Sequence, residues 1–352
     1  MLLLTSVLAH LAQLAVATFG GFAFIWLGVP GGWLSGAAIA AILWGLTGLS
    51  PAMPRPLADV AMLTSGASMG AAATPAALAA IGRYPVSLVI LLAGIAGISA
   101  ASSLWLVRVS RWRRDDALLA SVPGALSTVL SVAIDRNAAV ASIAIVQNLR
   151  LMVLIALLPG IVVLTGGGGA ATALLGQGLD TLTPGGMALV LGGGYAVGLV
   201  LQWFGMAAPV LLGATLVSTL GHATGTLTGV IPPALATAGL ILIGLFIADR
   251  FRTLDYATLP RTVLAGLGSF TVGMGVAMAF AALAAWAAQV SFANALVAFA
   301  PGGLEAMTVL ALVLGLDPIY VGIHHFVRFI SIGLLIPFVV TWMQRRDPPV
   351  VN

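Results

Sequence analysis

The chain is predicted to be an all-α polytopic membrane protein made of two inverted repeats, and three observations predict it. Hydrophobic residues make up 61% of its 352 residues and charged ones only 7%, against about 25% charged in soluble domains. Apolar runs of about 20 residues, enough to cross a hydrocarbon core of about 30 Å, recur along its length. The sequence is also written twice, at an offset of 177 to 178 residues. So little charge cannot cover a globule with polar surface, but it suits a chain that faces lipid. A transmembrane β-barrel would alternate apolar and polar residues in short segments instead.

Taken in order, the first half offers apolar segments at about 6–28, 31–49, 57–78, 84–107, 116–134 and 138–164. The second offers about 184–204, 208–229, 235–250, 262–289, 294–312 and 317–343. Residues 1–165 form the first repeat, the glycine-rich stretch 166–183 a flexible linker, and 184–352 the second repeat. The N-terminal run lacks the basic region of a signal peptide. Its Trp26 and Gly28 recur as Trp203 and Gly205, so it is expected to stay as the first transmembrane helix.

The pairing runs through the chain. Gly36 recurs as Gly213, Thr47-Gly48 as Thr224-Gly225, Pro54 as Pro232, Gly66 as Gly244 and Arg83 as Arg261. Pro123-Gly124-Ala125-Leu126 returns as Pro301-Gly302-Gly303-Leu304, and Arg150 as Arg328. Charge does not follow the copy. The cluster Arg108, Arg111, Arg113 and Arg114 falls opposite the uncharged stretch 286–292, and Arg250 and Arg252 fall opposite Ala72 and Thr74. Inverted repeats must differ in this way to obey one positive-inside rule. Inversion needs an odd number of crossings per half. It follows if segments 116–134 and 294–312 double back at Pro123-Gly124 and Pro301-Gly302 as re-entrant hairpins, where proline and glycine break the helix. The expectation is five spans and one hairpin per half, both termini cytoplasmic, in a bacterial inner membrane. A parallel arrangement of twelve spans would put Arg250, Arg252 and Arg261 outside.

The net charge of +4 comes from arginine alone, since lysine is absent. Scattered between apolar runs, these arginines fit loop anchors better than a nucleic-acid surface, so no nucleic-acid partner is expected. The expected partners are the bilayer and a small molecule, and a homo-oligomer stays open. The chain has no cysteine, which excludes disulfides, thiolate metal sites and a cysteine nucleophile. No Walker loop is present, and the four histidines do not combine with carboxylates into a hydrolytic or redox set. Neither enzyme activity, nor a cofactor, nor a bound metal is expected.

Arg150 and Arg328 lie deep in apolar runs, where an arginine costs about 2.5–3.5 kcal/mol to insert and so faces a cavity or a partner. Two readings stand for them: a clamp on helix-end carbonyls, or a ligand for an anion near the midplane. The hairpin tips, Pro123 and Gly124 in one copy and Pro301, Gly302 and Gly303 in the other, would leave free N–H groups aimed at the same place. Ser127 and Thr128 follow the first tip, and Glu305 and Thr308 the second. Glu305, the chain's single glutamate, could bind a proton or cation, or pair with Arg328. Gln147 and His325 occupy equivalent places near the face of each arginine. The neighbours His324 and His325 point about 100° apart on a helix, which suits substrate hydrogen bonding or proton handling better than a metal site.

With these residues in view, the chain resembles the AbrB family of bacterial membrane proteins over essentially its whole length. The segment Ala300-Pro301-Gly302-Gly303-Leu304-Glu305-Ala306-Met307 looks most like the family's signature. The first copy departs from it, with Ala125 for the second glycine and Ser127 for the glutamate. The resemblance implies a duplicated membrane domain and brings two labels, regulator of gene expression and ammonia monooxygenase. An oxygenase would need copper or iron ligands that four scattered histidines do not supply. Direct DNA binding would need a soluble basic module, and the small soluble transition-state regulator of the same name is not similar to this chain. In architecture the chain also looks like secondary transporters with inverted five-helix repeats, such as the 2-hydroxycarboxylate carriers. The expected function is export or exchange of a small anionic metabolite by alternating access, with a membrane-embedded regulator or sensor as the alternative.

Overall fold

A computed structural model of the chain describes residues 2–29, 31–71, 82, 84–124, 129, 132–133, 138–165, 180–206, 208–252 and 259–346. Among these, every regular element is a helix, and the one β-bridge joins Thr181 to Val230. The first half contains α1 (Leu2–Trp26), α2 (Gly32–Gly45), α3 (Arg55–Ala71), α4 (Tyr84–Arg108), α5 (Arg114–Ser121) and α6 (Val140–Leu164). The second contains α7 (Pro184–Trp203), α8 (Pro209–Ala223), α9 (Pro233–Asp249), α10 (Leu259–Ala288), α11 (Phe292–Phe299), α12 (Leu304–Val313) and α13 (Pro318–Arg346). The expected linker lies mostly outside the described residues. At its end Thr183 caps α7 by accepting from Gly186 N at 3.1 Å, with Pro184 in the first turn.

Six described helices are long and apolar enough to cross a membrane: α1, α4, α6, α7, α10 and α13. Three spans per half therefore have full length where five were expected. Of the other two per half, α2, α8 and α9 have 14, 15 and 17 residues, and α3 is described over 17, the rest of its expected segment lying outside the described residues. At 1.5 Å per residue they are about 21–26 Å long. α2 and α8 are short because apolar residues counted into their segments, such as Leu46, Leu49 and Leu227, lie in the turns and loops that follow them. The long outer helices turn large apolar side chains outward, including Phe19, Leu164 and Trp286. Trp26 and Trp203, equivalent residues at two helix ends, are 79% and 83% exposed, as in the aromatic belts of membrane proteins.

Helix contacts repeat between the halves. α1 packs on α2 as α7 does on α8, α3 on α8 as α9 on α2, α5 on α6 as α11 on α13, and α10 on α6 as α4 on α13. Small residues set the close approaches. Gly66 and Gly70 of α3 lie against Ala214 and Ser218 of α8, a constant separation, so these two helices run parallel. The copies α4 and α10 pack on each other in the opposite sense. Gly94 meets Phe280, Ser102 meets Gly273 and Trp105 meets Gly268. As one number rises the other falls, so α4 and α10 are antiparallel.

Candidate functional site

Proline dictates where α5 and α11 stop. The residue before a proline is driven out of the helical region, and Val122 and Ala300 accordingly adopt extended backbone at ψ 124° and 135°. The break frees helix-end carbonyls among fully buried residues, where an unpaired polar group is costly. The two arginines meet that demand. Arg150 donates through Nη1 to Ser121 O and through Nη2 to Val122 O, both at 3.1 Å. Arg328 donates through Nη1 to Ala300 O and through Nη2 to Gly302 O, both at 2.7 Å. Both side chains are buried, and each cation sits where a half-helix dipole ends in negative charge.

The hydrogen bonds beneath these ties repeat as well. Gln147 Nε2 donates to Leu119 O at 2.9 Å, and His325 Nε2 donates to Val297 O at 3.0 Å. Asp116 Oδ1 accepts from Ala139 N at 2.9 Å, and Asn294 Oδ1 accepts from Asp317 N at 2.8 Å. Because Val297 O can only accept, His325 carries its hydrogen on Nε2, and its Nδ1 accepts from Arg328 Nη2. Along these rungs the partner's number rises with the residue's own, 294 with 317, 297 with 325 and 300 with 328, so α11 runs alongside α13 in the same direction. α12 comes back the other way, with Thr308 against Gly322 and Gly302 against Arg328. The chain thus doubles back at residues 300–303.

The two tips meet. A Cβ placed on Gly124 would lie 3.8 Å from Arg328 Nε and 3.9 Å from Gly302 O. Beside this junction, Arg150, Pro301, Ser102 and Ser269 line a cavity of about 10 Å³, room for about one water. Ser102 and Ser269 join α4 to α10 there, each hydroxyl donating to the other's carbonyl at 3.1 and 3.4 Å.

The remaining expected site residues are less central. Glu305, in the first turn of α12, pairs with Arg250 Nη2 at 3.4 Å, whereas the partner considered from sequence was Arg328. Arg250 also lies over the Phe246 ring at 5.2 Å, and its carbonyl accepts from Asn148 Nδ2 at 3.3 Å. Gly303 lies beside this pair. Thr308 is fully buried, its hydroxyl donating to Leu304 O within α12. Ser127 and Thr128 lie outside the described residues. Sequence reasoning treated Arg250 only as a marker of membrane sidedness. Its place at the end of a helix that is apolar up to Asp249 was the signal that it could reach inward. Among the described residues no three His, Asp or Glu side chains gather where they could hold a metal.

Residues 33–344 match the family described as transition state regulatory protein AbrB. The chain belongs to the AbrB family. No curated protein and no solved structure matches it. The matched region begins within α2 and takes in both Pro-Gly breaks and both arginines, so the paired ties are features of this AbrB chain inside the span that defines its membership.

Proposed function

We propose that this AbrB-family protein is a secondary transporter that exports or exchanges a small anionic metabolite across the bacterial inner membrane by alternating access. One observation carries the reading: two Pro-Gly breaks, one from each half, meet at Gly124 and Gly302 beside two buried arginines. Transporters place substrate where broken elements of two repeats meet. Each guanidinium has five N–H donors, and the bonds to carbonyls leave others for an anion. The clamp and the ligand are then one residue in two roles.

The halves are read as inverted repeats, with residues 116–134 and 294–312 as re-entrant hairpins and both termini cytoplasmic. The antiparallel packing of the copies α4 and α10 supports inversion, as does the exchange of basic and neutral loops. A cavity with room for one water fits an occluded conformation, which must open to admit a metabolite.

The test is counterflow. Proteoliposomes loaded with an unlabelled small-molecule extract of the source cells are placed in the same extract labelled with carbon-13, and the lumen is analysed by mass spectrometry. Accumulation of labelled anions that Arg328→Met abolishes is the expected result. Binding without exchange would favour a sensor and overturn the proposal.

A further inference from the structure

His324 neighbours the arginine tie but takes no part in it. Its side chain is fully buried on α13, facing Ser87 of α4. Nδ1 lies 2.7 Å from Tyr320 O, a carbonyl that only accepts, so Nδ1 carries a hydrogen. Nε2 lies 2.7 Å from Ser87 Oγ, and Ser87 Oγ also lies 3.0 Å from Tyr84 O. A single hydroxyl hydrogen cannot serve both neighbours.

The conflict resolves into two complete arrangements. When the imidazole is neutral, the Ser87 hydroxyl donates to Nε2. When the imidazole takes a proton, Nε2–H donates to Ser87 Oγ and the hydroxyl hydrogen turns to Tyr84 O. In both forms each ring nitrogen and the Ser87 hydroxyl keep a partner, and no heavy atom moves; the buried Tyr320 hydroxyl beside the ring has no partner among the described residues. His325 has no such freedom, because Arg328 fills its Nδ1 and Val297 O takes its Nε2 hydrogen. We propose that His324 is a reversible proton-binding site, with Ser87 as its positioning residue, and that its proton is the ion coupled to transport.

The surroundings suit that role. Asp317, just before α13, lies seven residues ahead of His324, and on α13 His325 is adjacent and Arg328 lies one turn after. Tyr320 stacks on the imidazole at 4.0 Å between ring centres. From α4, Tyr84 faces it at 6.2 Å, its hydroxyl donating to Asp317 Oδ2 at 3.0 Å. From α11 the neighbour is the uncharged ring of Phe299 at 6.0 Å. Arg328 opposes a second positive charge, and an anion held at Arg328 would cancel that opposition. Proton and anion then strengthen each other's binding by the same factor. This coupling rests on the transporter reading, but the proton site itself does not. The copy of His324 is Val146 and the copy of Ser87 is Ala265, so the pair, which joins the two halves, has no duplicate.

The experiment is nitrogen-15 NMR of the full chain in lipid nanodiscs with labelled histidine, the signal being assigned with His324→Gln. His324 is expected to pass from a doubly protonated ring to the Nδ1–H tautomer as the pH is raised, and Ser87→Ala to move that midpoint by about one pH unit. A single protonation state throughout, or a midpoint indifferent to Ser87→Ala, overturns the proton site. Coupling is read with a pH dye inside the proteoliposomes described above. Proton movement should accompany exchange, and His324→Gln should cut the protons moved per anion at least tenfold. Exchange without proton movement in the unaltered protein overturns the coupling. No exchange at all overturns the transporter reading, while the NMR titration still decides the proton site.

Discussion

Arg328, from the second half of the chain, touches the tip of the first half at Gly124, whose Cβ, if it had one, would stand 3.8 Å from the arginine Nε. That distance is ordinary contact, so space does not forbid a side chain there. The backbone does, since Gly124 has φ +90°. Gly124→Ala is expected to cost about 1–2 kcal/mol, read as a lowered thermal midpoint of the purified protein. An unchanged midpoint would contradict the turn.

Lysine should not replace either arginine. A single ammonium cannot bridge two carbonyls that a planar guanidinium spans. Arg150→Lys and Arg328→Lys should each lose about one charged hydrogen bond, about 1.5–3 kcal/mol. The methionine variants, which leave both carbonyls unpaired, should lose about twice that. Chemical denaturation in detergent would rank the four variants, and equal stability of lysine and arginine would contradict the two-carbonyl tie.

Arg250 and Glu305 make a partly exposed pair, their side chains 27% and 18% accessible. Pairs in such settings contribute about 0–1 kcal/mol. A double-mutant cycle with Arg250→Gln and Glu305→Gln should return a coupling in that range. The same cycle between Glu305→Gln and Arg328→Lys should return none, and a larger coupling there would reassign the glutamate.

Ser102 and Gly273 offer a test of how α4 meets α10. A Cβ on Gly273 would stand 3.9 Å from the Cβ of Ser102, within the disulfide range of about 3.5–4.5 Å. The chain has no cysteine of its own. Ser102→Cys with Gly273→Cys should therefore cross-link on mild oxidation and hold exchange at a few per cent of the reduced protein. Failure to cross-link would count against the antiparallel pairing.

Single cysteines at Arg83, Arg111, Phe251 and Val290 test the orientation of the halves in the membrane. Labelling of intact cells should place Arg111→Cys and Phe251→Cys inside, and Arg83→Cys and Val290→Cys outside. Finding Phe251→Cys outside would remove the inverted arrangement.

Much of this organisation was legible because the chain repeats itself. Pro123 and Pro301 announced the breaks, and the shared offset tied Arg150 to Arg328 and Gln147 to His325. Helix lengths were less legible, since Leu227 is an apolar residue buried past the end of its helix, and hydropathy alone cannot separate it from a span. The partner of Glu305 was hidden because Arg250 comes from a helix 55 residues earlier. Ser87 was invisible for a simpler reason. A lone serine in an apolar helix carries no signal until a histidine from another helix is placed beside it.

Each arginine grips the hairpin of its own half: Arg150 holds residues 121 and 122, and Arg328 holds residues 300 and 302. The described hydrogen bonds at the tips thus stay inside one copy, while tip touches tip only by surface contact. Two rigid jaws built this way can part without loosening either grip. In the transporter reading, parting the tips would cost only surface contact, while the hydrogen bonds that join the halves elsewhere, Ser102 with Ser269 and Tyr84 with Asp317, would have to be kept or remade.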